Sequence, residues 1–287
     1  NYLNLEPRLA ASFIINQTSS FKTSYVRNVQ NLHLMSNSTT GAPTDKWLAS
    51  TNIIKPEIAD LFSVGWYKNF AENRYEFSTE AYYKKMYNQI DYRTGADVFT
   101  NDAIESQILF GIGRAYGWEL FLKKKTGKAT GWISYTLSKT ERKINGINDG
   151  AWYNARQDRI HDVAIVVNYQ LNRKWNLAAN WIYYTGDAVT YPAGKYIIDN
   201  QVVFYYTKRN ADRMPAYHRL DLGATWLLKN KKNFTSELAF SLFNAYGREN
   251  PYIITFRQNK DEPMRTEAVK TSLFRFVPSI SYNFKFK

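Results

Sequence analysis

Six charged residues stand where period-two alternation would turn each to the polar side of a strand: Glu80, Lys84, Glu119, Arg219, Asp221 and Glu237. Glu80 and Lys84 share that side with Glu76 and Tyr82. Ionised groups of both signs on one wall can pair with each other, hold a packed polar domain, or line a path for a hydrated ligand. Pairing along the wall or contact with a packed domain is expected ahead of ligand contact for any one of them. Other chemistry has little to rest on. Cysteine is absent, which removes disulfides, thiolate metal sites and a Cys nucleophile. His33, His161 and His218 are too few and too scattered for a metal site with recognisable spacing. His161 and His218 lie beside Asp162 and Arg219 near segment ends, where hydrogen-bonding roles are expected. Asn148-Asp149-Gly150 lacks the repeated acidic spacing of a calcium loop and reads as a turn. No Ser-His-Asp or paired-carboxylate constellation stands out. The expectation is a protein that is not an enzyme and has no cofactor and no metal.

The elements that carry these residues are long and alternating. From Lys174 to Ala188, Trp175, Leu177, Ala179, Trp181 and Tyr183 fall on one face, with Asn176, Ala178, Asn180 and Tyr184 on the other. Alternation and turn signals place about eleven strands at 8–16, 20–33, 56–70, 73–92, 106–123, 128–142, 160–171, 174–188, 216–229, 233–247 and 273–286. Soluble strands usually stop after roughly 5–6 residues, whereas many of these are long enough to cross a bilayer at a tilt. Apolar sets such as Val163, Ile165 and Val167, or Phe234, Leu238, Phe240 and Leu242, oppose small or polar ones. An apolar belt outside and a polar lining inside is what lipid and a wet lumen require.

No run of 18 apolar residues exists, so a membrane-spanning helix is excluded. The negative mean hydropathy does not exclude a barrel, because only alternate residues meet lipid. Aromatic residues make up 16% of the chain, which suits girdles at two membrane interfaces. The formal charge of +13 raises nucleic acid as a partner, yet the basic residues punctuate short turns instead of forming a patch with stacking aromatics. Lys123-Lys124-Lys125, Arg173-Lys174 and Lys229-Asn230-Lys231-Lys232 are such turns. No nucleic-acid partner is expected; solvated turns beside anionic lipid headgroups are.

Short connections alternate with long ones at 34–55, 93–105, 143–159, 189–215 and 248–272. Bacterial barrels place short turns on the periplasmic side and long loops outside. The first strand then descends towards the periplasm, and so does the last. An odd number of strands cannot close in the usual even-numbered way. Residues 1–287 are therefore expected to be the C-terminal portion of one outer-membrane β-barrel domain: all-β, transmembrane and antiparallel. The opening residues carry no export signal, so the start of the full chain is expected elsewhere.

Several stretches sharpen this reading. Tyr116-Gly117-Trp118-Glu119-Leu120 with its Lys-rich turn is one, and Gly131-Trp132-Ile133-Ser134-Tyr135-Thr136-Leu137-Ser138 another. Arg213-Met214-Pro215-Ala216-Tyr217-His218-Arg219-Leu220-Asp221 and Phe243-Asn244-Ala245-Tyr246-Gly247-Arg248-Glu249-Asn250-Pro251-Tyr252 follow. The chain closes on Pro278-Ser279-Ile280-Ser281-Tyr282-Asn283-Phe284-Lys285-Phe286. In this order they resemble the TonB-dependent outer-membrane receptors of Bacteroidetes type, the branch with a carboxypeptidase-like regulatory domain before the plug. The resemblance implies a 22-stranded barrel with a plugged lumen, of which these strands form the C-terminal half. It implies active import of a scarce nutrient across the bacterial outer membrane. Its partners are TonB, acting through a plug or N-terminal segment outside this chain, the remaining barrel strands, the barrel-assembly machinery and the lipid bilayer. A surface lipoprotein or a larger outer-membrane complex is a further partner it allows. The alternative is a structural barrel subunit of such an assembly, without transport.

Overall fold

A computed structural model describes residues 2–35, 45–96, 104–199, 201–262 and 265–286. Eleven antiparallel strands form one continuous sheet, each beside its neighbour in sequence. They are β1 (Arg8–Asn16), β2 (Ser19–Gln30), β3 (Glu57–Phe70), β4 (Tyr75–Tyr92), β5 (Ile108–Lys124) and β6 (Ala129–Ile144). After them come β7 (His161–Gln170), β8 (Trp175–Tyr184), β9 (Tyr217–Lys231), β10 (Phe234–Phe243) and β11 (Val277–Phe286). A two-residue strand, Tyr153–Asn154, pairs with the end of β6. Among the described residues β1 pairs only with β2 and β11 only with β10, so the sheet is open.

Local chemistry sets the tight ends. The Asn16 side-chain oxygen accepts the Thr18 N–H at 2.9 Å. Asn172 does the same for Lys174 and Trp175, at 2.8 and 3.0 Å. Ala71, Glu72 and Asn73 turn the β3–β4 corner with positive φ of 52, 57 and 63°. Lys125 braces that corner, reaching Glu76 at 3.2 Å and Asn73 at 3.1 Å. These corners and the far end of β11 lie at one end of the sheet, Phe234 standing opposite Phe286. The basic turns expected to share a rim do so, from Lys123, Lys124, Lys125 and Lys128 through Arg173, Lys174, Lys229, Lys231 and Lys232 to Lys285. Lys287 lies outside the described residues.

The two faces differ as alternation requires. On one, Trp175 stands opposite Trp226 with rings stacked at 5.5 Å, and Phe240 stacks on Trp175 at 6.4 Å. Leu222 and Leu242 are paired there, as are Ile165 and Trp181. Much of this aromatic face is exposed, including Phe62, Tyr83, Trp118 and Ile133. Buried apolar side chains gather where the long connections meet the strand ends. Met35, Ile54, Ile90, Tyr92 and Ile108 form one small core, and Ile144, Ile147 and Tyr153 another. The apolar surface that a soluble protein would bury is here left on the outside.

Among the described residues, three of the long connections carry hairpins of their own. Leu32–Met35 pairs with Lys46–Ala49, Gly194–Ile198 with Gln201–Tyr205, and Ile253–Gln258 with Thr266–Thr271. The strands expected at 174–188, 233–247 and 273–286 are shorter, ending at Tyr184 and Phe243 and starting at Val277. Their outer turns belong to the connections. Of the loops at 34–55 and 93–105, residues 36–44 and 97–103 lie outside the described residues.

Candidate functional site

The ladders put all six candidate residues on one face of the sheet, opposite the aromatic one. Glu80 faces Glu119 across β4 and β5, and Lys84 faces Ala115. Glu119 faces Thr136, which faces Asp162, which faces Tyr184, which faces Tyr217, two residues before Arg219. Glu237 faces Leu227, on the side that carries Thr225 and Gly223. The face is shared, but the six do not form one site. Tyr67 donates to Glu80 at 2.7 Å. Arg219 binds Asp221 at 2.9 Å and lies 4.1 Å over the Phe243 ring, while Asp221 also accepts the Asn244 N–H at 2.9 Å. These are structural ties along the wall. Glu237 meets Asn283 near the end that carries the short turns. Only Lys84 of the six lines the main cavity, and among the described residues it has no hydrogen bond or ion pair.

That cavity, of about 1460 Å³, sits at the end of the sheet that carries the long connections. Asn28, Lys84, Met86 and Arg142 supply its strand wall, and the connections fold over it with Tyr191, Phe204, Tyr206 and Phe256. Its charged lining is uneven: Lys84, Arg142, Arg156, Lys208 and Arg209 against Glu57, Asp91 and Asp149. Asp91 organises the roof. It accepts Arg209 at 2.8 Å and the Tyr153 hydroxyl at 2.9 Å. Burial and the Asp91 carboxylate push the Tyr153 phenol well up, so it remains a donor. Asn148 holds the Arg209 backbone on both sides, at 2.8 and 3.0 Å, and Asn148-Asp149-Gly150 forms the turn expected of it, a single 3-10 turn. Asn154 and Asn210 exchange side-chain-to-backbone bonds at 2.9 and 3.0 Å. Arg213 pairs with the fully buried Asp158. The 189–215 connection is thus tied to β4 and to the segment after β6.

Asp91, Arg142, Tyr153 and Arg209 were not legible as site residues. Asp91 and Arg142 sit at strand ends, and the other two in the long connections at 143–159 and 189–215. The alternating aromatics of 194–206 are the one signal that could have marked a built roof. His161 and His218 do take hydrogen bonds, from or to Tyr135 at 2.9 Å and Tyr246 at 2.7 Å. No cluster of three metal-ligating side chains occurs among the described residues.

Residues 1–245 match the profile of the family described as TonB dependent receptor-like, beta-barrel. The chain belongs to this family. TonB-dependent receptors are transport proteins of the outer membrane, not enzymes, and the chain is an all-β, outer-membrane barrel segment. Solved structures share the fold. The ferric-catecholate import receptor Fiu of E. coli K12 matches with a TM-score of 0.60 at 14% identity, over 98% of this chain and 34% of that one. BauA, the ferric preacinetobactin receptor of Acinetobacter baumannii, matches with 0.56 at 13%, over 96% and 36%. The ferric citrate transporter FecA matches with 0.58 at 12%, over 97% and 38%. The chain thus spans about a third of the length of these TonB-dependent receptors. A sequence comparison with curated proteins finds no match.

Proposed function

We propose that these strands are the C-terminal half of a 22-stranded TonB-dependent receptor that imports a scarce nutrient across the outer membrane. The supporting observation is the roofed cavity, with strand-borne Lys84 and aromatic loop residues at one mouth of the polar face. A pore without a ligand needs no such roof tied through Asp91, Asp158 and Asn154. The polar face, with Glu80, Glu119, Arg219, Asp221 and Glu237, is then the lumen wall that a plug and a hydrated ligand touch. Lys84 is the candidate for ligand contact, because it lines the cavity and its charge has no partner among the described residues. The open edges at β1 and β11 take further strands of the barrel. TonB acts through the plug, and the barrel-assembly machinery inserts the whole. The motifs of the chain support the Bacteroidetes-type branch with a carboxypeptidase-like domain, in which a surface lipoprotein is a further partner.

The test is growth on defined scarce sources, namely ferric chelates, cobalamin, glycans and peptides. A strain lacking the full-length gene is complemented with wild type or Lys84→Ala, with and without TonB. Import predicts a source-specific defect in the deletion strain, restored only when TonB is present. A defect restored equally without TonB would favour the structural-subunit reading.

A further inference from the structure

The aromatic face carries a row of charges that the transport reading does not use. Reading straight across four ladders, Arg27 stands opposite Asp60, Asp60 opposite Lys85, Lys85 opposite Arg114, and Arg114 opposite Glu141. The next row towards the short turns is Tyr25, Phe62, Tyr83, Tyr116 and Lys139. Below it, on β3, Val64 and Trp66 lead down to Lys68; on β5, Trp118, Leu120 and Leu122 lead down to Lys124. Charges therefore bracket an uncharged band on β3 and β5; on β6 its upper margin carries Lys139, which is paired with Asp158 at 3.8 Å.

The height of the band fits a membrane. Arg27 lies eight residues along β2 from Ser19, Arg114 ten along β5 from Lys124, and Glu141 twelve along β6 from Ala129. At about 3.3 Å per residue and a tilt near 40°, that is roughly 20–30 Å, against an apolar band of about 25 Å. The row stands at the outer-leaflet interface, on the face that acyl chains must cover.

Its charges are unequal in kind. Arg27 is fixed by Asp60, with bonds of 2.7 and 2.8 Å, and Arg114 by Glu141, with bonds of 2.9 and 2.7 Å. Arg114 is also held 4.2 Å over the Trp152 ring. Lys85, 5.0 Å over the Tyr87 ring, and the exposed Lys143 of β6 have no carboxylate partner among the described residues. The pairs pre-order the guanidinium groups, and the two ammonium groups leave the row net positive. Beneath it Phe62, Tyr83, Tyr116 and Trp118 are all exposed. A cationic shelf over an aromatic wall complements an amphiphile with an anionic head.

We propose that this shelf is a binding site for the phosphorylated headgroup of an outer-leaflet glycolipid, with Lys85, Arg114 and Lys143 meeting the phosphate. Its acyl chains lie on Phe62, Tyr83 and Tyr116. The site is separate from the ligand cavity, since Lys84 and Lys85 point to opposite faces of β4, and it does not depend on transport.

The test is native mass spectrometry of the full-length receptor in a zwitterionic detergent, titrated with diphosphoryl lipid A. Wild type should retain the lipid, and Lys85→Ser/Lys143→Ser should weaken it about tenfold or more, given the charge lost and ionic screening. Lys85→Arg/Lys143→Arg should bind as wild type. Lys123→Ser/Lys124→Ser, which removes the same charge at the opposite rim, should also bind as wild type. Dephosphorylated lipid A should bind weakly, and millimolar inorganic phosphate should not displace the intact lipid. Equal binding by the Ser double variant, equal loss in the opposite-rim variant, or displacement by inorganic phosphate would each overturn the assignment. Heat-modifiable mobility on gels verifies that each variant is a folded barrel.

Discussion

Phe240 and Glu237 are three residues apart on β10, yet the ladder turns them to opposite faces. Phe240 stacks against Trp175, while Glu237 meets Asn283. Phe240 lies six residues along β10 from Phe234, about 15 Å up a tilted strand and so well inside the apolar band. An arginine there costs roughly 2–4 kcal/mol, whereas the polar face accepts one. Phe240→Arg should therefore deplete the receptor from outer-membrane fractions, and Glu237→Arg should leave a folded barrel. Equal abundance of the two would sink the face assignment. His33 gives a second prediction, in a connection outside the membrane. Its ring is buried, with Nε2 3.0 Å from Ser50, and Nδ1 has no hydrogen-bond partner and lies 3.9 Å from Glu57. Burial pushes its pKa below the usual value, and Glu57 opposes that only in part. The packed loop therefore resists a proton that the opened loop accepts. Its stability is whole above about pH 6.5, the ordinary His value, and falls as the pH drops below it. Limited proteolysis of the 31–56 connection should be faster at pH 5.5 than at pH 7.5. In His33→Gln that difference should shrink; an unchanged difference would exclude His33 as its source.

At the scale of elements, the two edge strands β1 and β11 are exposed along their whole length, and β11 carries the richer aromatic chemistry. Every residue of it is open to the surroundings. Tyr282, Phe284 and Phe286 form a run of ring contacts at 5.9 and 5.8 Å, and Phe286 closes on Phe234 at 5.3 Å. The last ring thus fastens the end of β11 to the β9–β10 corner. Phe286→Ala removes that contact, and it should lower outer-membrane abundance more than Lys287→Ala does. Quantitative immunoblots of membrane fractions decide it, and equal levels would count against an anchoring role.

Among the described residues the whole sheet has two unpaired edges, at β1 and β11. In hydrocarbon each unsatisfied backbone group costs several kcal/mol, so an open sheet cannot persist in a bilayer. Residues 1–287 expressed alone with an export signal should accumulate as protease-sensitive, heat-unmodifiable material. The full-length receptor should be resistant and heat-modifiable. A protease-resistant, membrane-inserted 1–287 would show that the sheet closes by itself and would overturn the half-barrel reading.

Strand existence, order and face were largely legible in the sequence, because alternation is a local property. Trp175, Leu177 and Trp181 must share a face wherever β8 goes, and short turns such as Asn172-Arg173 force antiparallel neighbours. What the local pattern could not give is where alternation breaks. Between Met86 and Gln89 a bulge, with Asn88 at φ 55°, adds one residue to β4. Even-numbered residues lie on the cavity side before it and odd-numbered ones after it, which brings Asp91 under Arg209. A second break at Leu227/Lys229 does the same to β9. The charged row on the aromatic face was hidden for a related reason. Arg27, Asp60, Lys85 and Arg114 each interrupt an apolar or aromatic face of a different strand, Glu141 sits between Lys139 and Lys143 on a fifth, and only register sets them side by side. Period two belongs to the sequence; register, bulges and the folding of one connection over another are set by contacts between residues up to 118 positions apart, as between Arg209 and Asp91.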